Sequence, residues 1–115
     1  MVELESFDWR PLVDIYRKTR NEELKKLIDA VLGINANIWL VQVSGRGCEI
    51  SDMLDYYRII AELREKALES FKKVENLIPP ETRLKLHIWI LDVKSNTKNY
   101  IMNSIKTCSM KGLIK

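Results

Sequence analysis

From residue 51 to residue 78 an apolar side chain recurs every three or four positions: Met53, Tyr57, Ile60, Ala67, Phe71, Val74 and Ile78, with Arg64 in the one remaining slot. At 100° per residue this spacing gathers all eight on one face of a helix, and Leu54, Ala61 and Leu68 widen the stripe. A helix of 28 residues is about 42 Å long. Whatever the rest of the chain does must cover that length.

The charges agree with one continuous helix. Asp52 and Asp55 stand at its positive end, Lys72 and Lys73 near its negative end, and Glu62/Lys66 and Glu69/Lys73 are spaced four apart in the favourable order. Ser51 is the expected N-cap, and Pro79-Pro80 ends the element because neither ring nitrogen can donate. Arg64 is expected to carry its head group out to the edge of the seam.

Upstream, Asp8 caps a helix with Pro11 in its first turn, running toward Leu32 with Gly33 as its C-terminal glycine. Its stripe changes face between Thr19 and Leu24, which predicts a break near Asn21. Two look-alike segments, residues 37–43 and 84–93, alternate like short strands and are rich in β-branched and aromatic residues. As strands of roughly 20 to 35 Å they are too short for the long helix to serve as their crossover. Read as helices, 84–93 shows two apolar faces, Leu84/Ile88/Leu91 and Leu86/Trp89/Ile90/Val93, as in a central helix buried on both sides. Pro80-Glu81-Thr82 then starts a helix, Gly45 stops one after Val43, and a last helix begins near Asn96 or Thr97 and ends before Gly112. The expected fold is mainly α: one domain over residues 1–115, a bundle of four to five helices built around 51–78. The alternative is α+β with strands at 37–43 and 84–93.

Net charge hides an asymmetry. Residues 1–82 hold 12 Lys/Arg against 15 Asp/Glu, whereas residues 83–115 hold Arg83, Lys85, Lys94, Lys98, Lys106, Lys111 and Lys115 against Asp92 alone. A segment of one sign attracts phosphates or acidic surfaces. Lys94 and Lys98 share a helical face while Lys106 and Lys111 are rotated away, so the basic surface is expected to be broad. The N-terminus is acidic where a secretory signal would be basic, and the longest apolar runs, Ile38 to Val41 and Ile88 to Leu91, fall far below the roughly 20 residues of a membrane span. A cytoplasmic protein with no membrane contact is expected. Cys48 and Cys108 lie 60 positions apart and His87 is the single histidine, which gives no metal-ligand spacing, and no metal or cofactor is expected. The two cysteines are read as buried thiols, with a disulfide as the other option.

Three segments touch on chemistry. Ser44-Gly45-Arg46-Gly47-Cys48 lacks the spacing of a nucleotide loop and reads as a turn, while Trp39 and Trp89, each inside an apolar run, read as core. Ile90-Leu91-Asp92-Val93-Lys94-Ser95, with Pro80-Glu81 upstream, resembles the two halves of the PD-(D/E)xK nuclease motif. That resemblance implies Glu81 and Asp92 on one divalent cation and Lys94 beside the attacking water, on adjacent strands. It departs from the family in carrying Glu81 where aspartate belongs. Arg83-x-x-x-His87 resembles the Arg/His pair of HEPN ribonucleases but is one residue short of their spacing, so no catalytic role is assigned to it.

The leading functional expectation is a non-catalytic helical accessory subunit of a ribonucleoprotein-type assembly, contacting nucleic acid backbone through Arg46, Arg83, Lys85, Lys94, Lys98, Lys106 and Lys111. The second is a self-associating structural or adaptor protein that pairs, as a homo-oligomer or with other subunits, through Tyr57, Ile60, Arg64, Phe71 and Val74. A metal-dependent nuclease ranks last.

Overall fold

The computed structural model describes residues 4–113. They form four α-helices, α1 (Arg10–Lys18), α2 (Glu22–Arg46), α3 (Ile50–Val74) and α4 (Pro80–Met110), with one 3₁₀ turn at Glu75–Leu77. The described residues contain no strand, so 37–43 and 84–93 are both helical. The three long helices run up, down and up, giving a rod of 51 × 21 × 21 Å, and α1 packs beside the lower end of α2.

The break near Asn21 is present. Asn21 Oδ1 accepts from the Leu24 amide at 2.9 Å and starts α2, while α1 has already ended at Lys18. Asp8 accepts from the Arg10 amide just ahead of α1.

Gly33 does not end a helix as its position suggested. It lies inside α2, where a Cβ would stand 2.9 Å from Leu63 Cδ1 of α3. The missing side chain permits close helix contact, and α2 runs on to Arg46. There Glu49 N–H reaches Ser44 C=O and Cys48 N–H reaches Gly45 C=O, the paired bonds of a Schellman turn. The left-handed residue of that turn is Cys48, with φ 56°, where glycine is usual. Its sulfur is bonded to Cys108, whose Cα is 5.8 Å from that of Cys48. Free thiols are therefore the wrong reading of the pair: spacing along the chain does not show that the turn after α2 and the last turns of α4 meet.

α3 starts at Ile50 with no side-chain cap, so Ser51 is helical and not the cap. It stops at Val74, short of Ile78, because a residue before proline is driven into the extended region, and Ile78 has φ −103° and ψ 134°. Ile78 is still buried, anchored by Arg83, whose Nε and Nη2 both donate to its carbonyl.

α4 is one helix of 31 residues and not two. The polar residues that suggested a fresh start turn onto their own helix: Thr97 Oγ1 donates to Val93 C=O at 2.7 Å and Ser95 Oγ to Asp92 C=O at 3.1 Å.

Two stacked apolar clusters fill the rod. The lower joins Leu27, Val31, Ala67, Phe71, Leu86 and Ile90, with Leu12 from α1; the upper joins Ile34, Ile38, Met53, Ile60, Val93 and Ile101, with Leu4. Trp89 packs against both. At roughly 1.5–3 kcal/mol per fully buried large aliphatic side chain, these clusters dominate the stability. The extended segment before α1 is strapped to the bundle. Trp89 Nε1 donates to Glu5 C=O at 2.9 Å, and the Asn35 carboxamide bonds both main-chain groups of Phe7.

The expectation of two buried faces on 84–93 fails. Leu86, Ile90 and Val93 are buried, but Leu84, Ile88 and Leu91 lie open on the other side. Trp39, read as core, is 61% exposed. α2 is also long and apolar enough to cross a bilayer, by length and composition, which the count of uninterrupted apolar runs missed: its best 18-residue window has a mean hydropathy of 1.4. Of that window, 44% is buried in the bundle.

Candidate functional site

The seven basic positions of the sequence reading divide into two groups. Arg83 is held by the Ile78 carbonyl, and Lys85 pairs with Glu81 at 3.1 Å, so both are occupied within α4 and its N-terminal approach. Lys94, Lys98, Lys106 and Lys111 are exposed and form no ion pair among the described residues. Arg46 is exposed, with Nε donating to the Gln42 carbonyl at 3.3 Å. Lys115 lies outside the described residues.

The disulfide brings three of this second group, Arg46, Lys106 and Lys111, to one end of the rod, while Lys94 and Lys98 lie further down α4. Arg46 is two residues from Cys48, and Lys106 and Lys111 are two and three residues from Cys108. From Val93 to Leu113 the chain has four lysines and no carboxylate. Across the end of the rod, the start of α3 supplies Glu49, Asp52 and Asp55, the last paired with Arg58 at 2.9 Å. The lysines point over more than half the circumference of α4 at 100° per residue, the broad surface expected.

A shallow groove runs between α4 and the N-terminal strap. Glu5, Asp8, Glu81 and Asp92 line it against Lys85 alone, followed along α4 by Asn96, Asn99, Tyr100 and Asn103. The Arg10 guanidinium bonded to Asp8 holds that carboxyl below its usual range. A groove whose charged lining is four carboxylates against one lysine repels a polyanion, which disfavours backbone contact there relative to the other flanks of upper α4.

The five residues read as an interface are placed differently. Ile60, Phe71 and Val74 belong to the chain's own core, at 0%, 3% and 2% exposure. Tyr57 is half-buried beside the upper cluster. Arg64 spans to α4, donating from Nε to Ile90 C=O at 3.0 Å and from Nη2 to Leu91 C=O at 3.1 Å, with Nη1 on Glu65. The seam is closed within one chain by α2 and α4. Pairing with another chain through these residues would require the bundle to open.

The geometry of a PD-(D/E)xK site is not formed. Glu81 and Asp92 sit on one helix, 11 residues and about 16 Å apart along its axis, too far to share a cation. Among the described residues no group of three His, Cys, Asp or Glu side chains could hold a metal ion. His87 stacks on Phe71, ring centroids 4.7 Å apart, with Arg83 occupied elsewhere.

Two features escaped the sequence reading. Arg17, Lys18 and Arg20 form a second basic group at the α1–α2 corner, exposed and without ion pairs among the described residues. Averaging charge over residues 1–82 cancelled it, although the run Arg17-Lys18-Thr19-Arg20 is visible in the sequence. The other is the exposure of the Leu84, Ile88 and Leu91 face of α4, where the sequence predicts burial. Comparison with protein-family models, with curated proteins and with solved structures finds no match to this chain.

Proposed function

We propose that this protein is a non-catalytic helical accessory subunit that binds nucleic acid backbone through the upper half of α4, with Lys94, Lys98, Lys106, Lys111 and Arg46 as the contacts. The observation that carries the reading is the run from Val93 to Leu113, which holds no carboxylate and presents four amines with no ion-pair partner among the described residues. Unpaired amines lose no internal partner when they meet a phosphate, whereas Lys85 would have to give up Glu81 and Arg83 the Ile78 carbonyl. Scattered directions on the helix suit backbone contact without base readout.

The test is a titration of labelled single- and double-stranded oligonucleotides at several salt concentrations. Five contacts limit the log–log salt slope on duplex to about −4.5, and binding is expected to be indifferent to sequence. Replacing Lys98, Lys106 and Lys111 by Gln should flatten the slope by about 3. The same change at Arg17, Lys18 and Arg20 should leave it unaltered. No binding at 50 mM salt by folded protein removes the proposal.

A further inference from the structure

The end of the rod that carries the disulfide is held differently from the rest. Neither Cys48 nor Cys108 belongs to one of the two apolar clusters, which are complete without them. Between Ile101 and Leu113 the one buried side chain is Cys108, with Ser104 and Ile105 half-buried and the others exposed. The last turns of α4 are therefore tied to the bundle chiefly through one sulfur. Cys48 holds the left-handed position of the turn that closes α2, and it is the one residue other than glycine with a positive φ among the described residues. A cysteine has no conformational reason to stay there once its sulfur is free. The same turn starts α3, which has no side-chain cap and takes its first turn from the Glu49 carbonyl, accepting from the Met53 amide.

We propose that the Cys48–Cys108 bond is a reversible thiol–disulfide switch. Oxidised, it docks residues 102–113 on the bundle and fixes the α2–α3 turn; reduced, it releases both while the two apolar clusters stay packed. The partner in the reaction is a dithiol. Its thiolate attacks one sulfur and the protein's S–S bond breaks, leaving a mixed disulfide, and its second thiol then displaces the protein sulfur. Two electrons and two protons pass to the protein, which ends with two thiols, and the reductant ends as its own disulfide. Each cysteine is buried but flanked by exposed residues, Gly47 and Glu49 on one side and Thr107 and Ser109 on the other, so a brief opening of the last turn of α4 admits the attacking thiolate. With the bond open, a helix end that keeps only half-buried anchors frays, and Cys48 leaves the left-handed region. Three of the five proposed phosphate contacts, Arg46, Lys106 and Lys111, sit on the released elements, yet the switch rests on the bond and the burial pattern and not on that reading.

Hydrogen exchange read by mass spectrometry, on oxidised protein and on protein treated with excess dithiothreitol, tests the switch. Reduction should speed exchange in the peptides covering residues 104–111 and 48–53 about tenfold or more, and leave those around Val31, Ala67 and Ile90 unchanged. Oxidised glutathione should restore both segments. Cys108→Ser should show the released pattern without any reductant and ignore dithiothreitol. Adding Cys48→Gly to it should restore protection at 48–53 alone, because glycine accepts the left-handed turn that an unbonded cysteine does not. Protection at 104–111 that survives reduction overturns the proposal. So does exchange that rises through both clusters together, which makes the bond a staple of the whole fold, or a bond that dithiothreitol cannot open in the folded protein.

Discussion

Asn35 bonds the main chain of Phe7 on both sides: its Oδ1 accepts from the Phe7 amide and its Nδ2 donates to the Phe7 carbonyl, each at 2.9 Å. A single carboxamide thus stands in for the neighbouring strand that this extended segment lacks. Together with Trp89 Nε1 on Glu5, it holds Leu4 in the upper core cluster.

Asn35→Ala should free the strap. The expected cost is about 1–2 kcal/mol in urea unfolding, for two hydrogen bonds lost at a half-buried site. The Phe7 amide should lose its protection from hydrogen exchange. Asn35→Asp is the informative partner, since it can still accept from the amide but cannot donate to the carbonyl, so Phe7 N–H should keep part of its protection.

Arg64 joins α3 to carbonyls in the middle of α4, which accept it with the lone pairs left over from their own helix. Arg64→Met keeps the stem and deletes the fork. It should destabilise the protein by about 1–2 kcal/mol, and Arg64→Lys should recover little, because an ammonium cannot reproduce two parallel donors. Chemical denaturation of the three proteins decides it, and equal stability of Met and Arg variants would count against the fork.

Two helical glycines should respond differently to alanine. At Gly33 the new Cβ meets the flexible end of Leu63, while at Gly45 it meets Tyr100 Cε1, Tyr100 Oη and Ser104 Oγ together, all at 3.2 Å. The helix-propensity gain of up to about 1 kcal/mol is common to both. Gly33→Ala should be close to neutral and Gly45→Ala less stable than it by about 1 kcal/mol or more, read as midpoint shifts in urea.

Acid should act through Glu23. The Ser70 hydroxyl, donating at 3.1 Å, and then Lys73, at 3.4 Å, hold the Glu23 carboxyl below the ordinary glutamate range. A carboxyl lowered in the folded state stabilises fully above its unfolded pKa and loses that contribution as pH falls through the lowered folded value. Thermal unfolding of wild type and Glu23→Gln should therefore differ at neutral pH and converge as the solution is acidified below the ordinary glutamate range. A gap that persists unchanged in acid would exclude this linkage.

The regular part of this fold was legible because one face of α3 has to be apolar along its whole length. The seam from Met53 to Val74, the proline stop and the break at Asn21 all appear in the structure. The misreadings share one cause, which is that a local signal carries two meanings until its neighbours are known. Gly33 looks like a C-cap and is a point of close approach to Leu63. Asn96 and Thr97 look like the start of a helix, yet Thr97 is buried and bonded to its own turn. Leu84, Ile88 and Leu91 were apolar enough to predict burial, but only three long helices are present to cover them. At the candidate site, the excess of basic residues was visible, whereas the occupation of Arg83 by Ile78 and of Lys85 by Glu81 depends on the turn into α4.

The link between Cys48 and Cys108 also decides how the molecule would carry a mechanical load. A pull on residues 4 and 113 travels through 4–48, crosses the sulfurs and leaves through 108–113, while α3 and most of α4 hang in a side branch that feels no tension. Only about 50 residues can be drawn out, roughly 170 Å of extended chain at about 3.4 Å each. Reducing that one bond puts the whole rod in the line of force and more than doubles its reach.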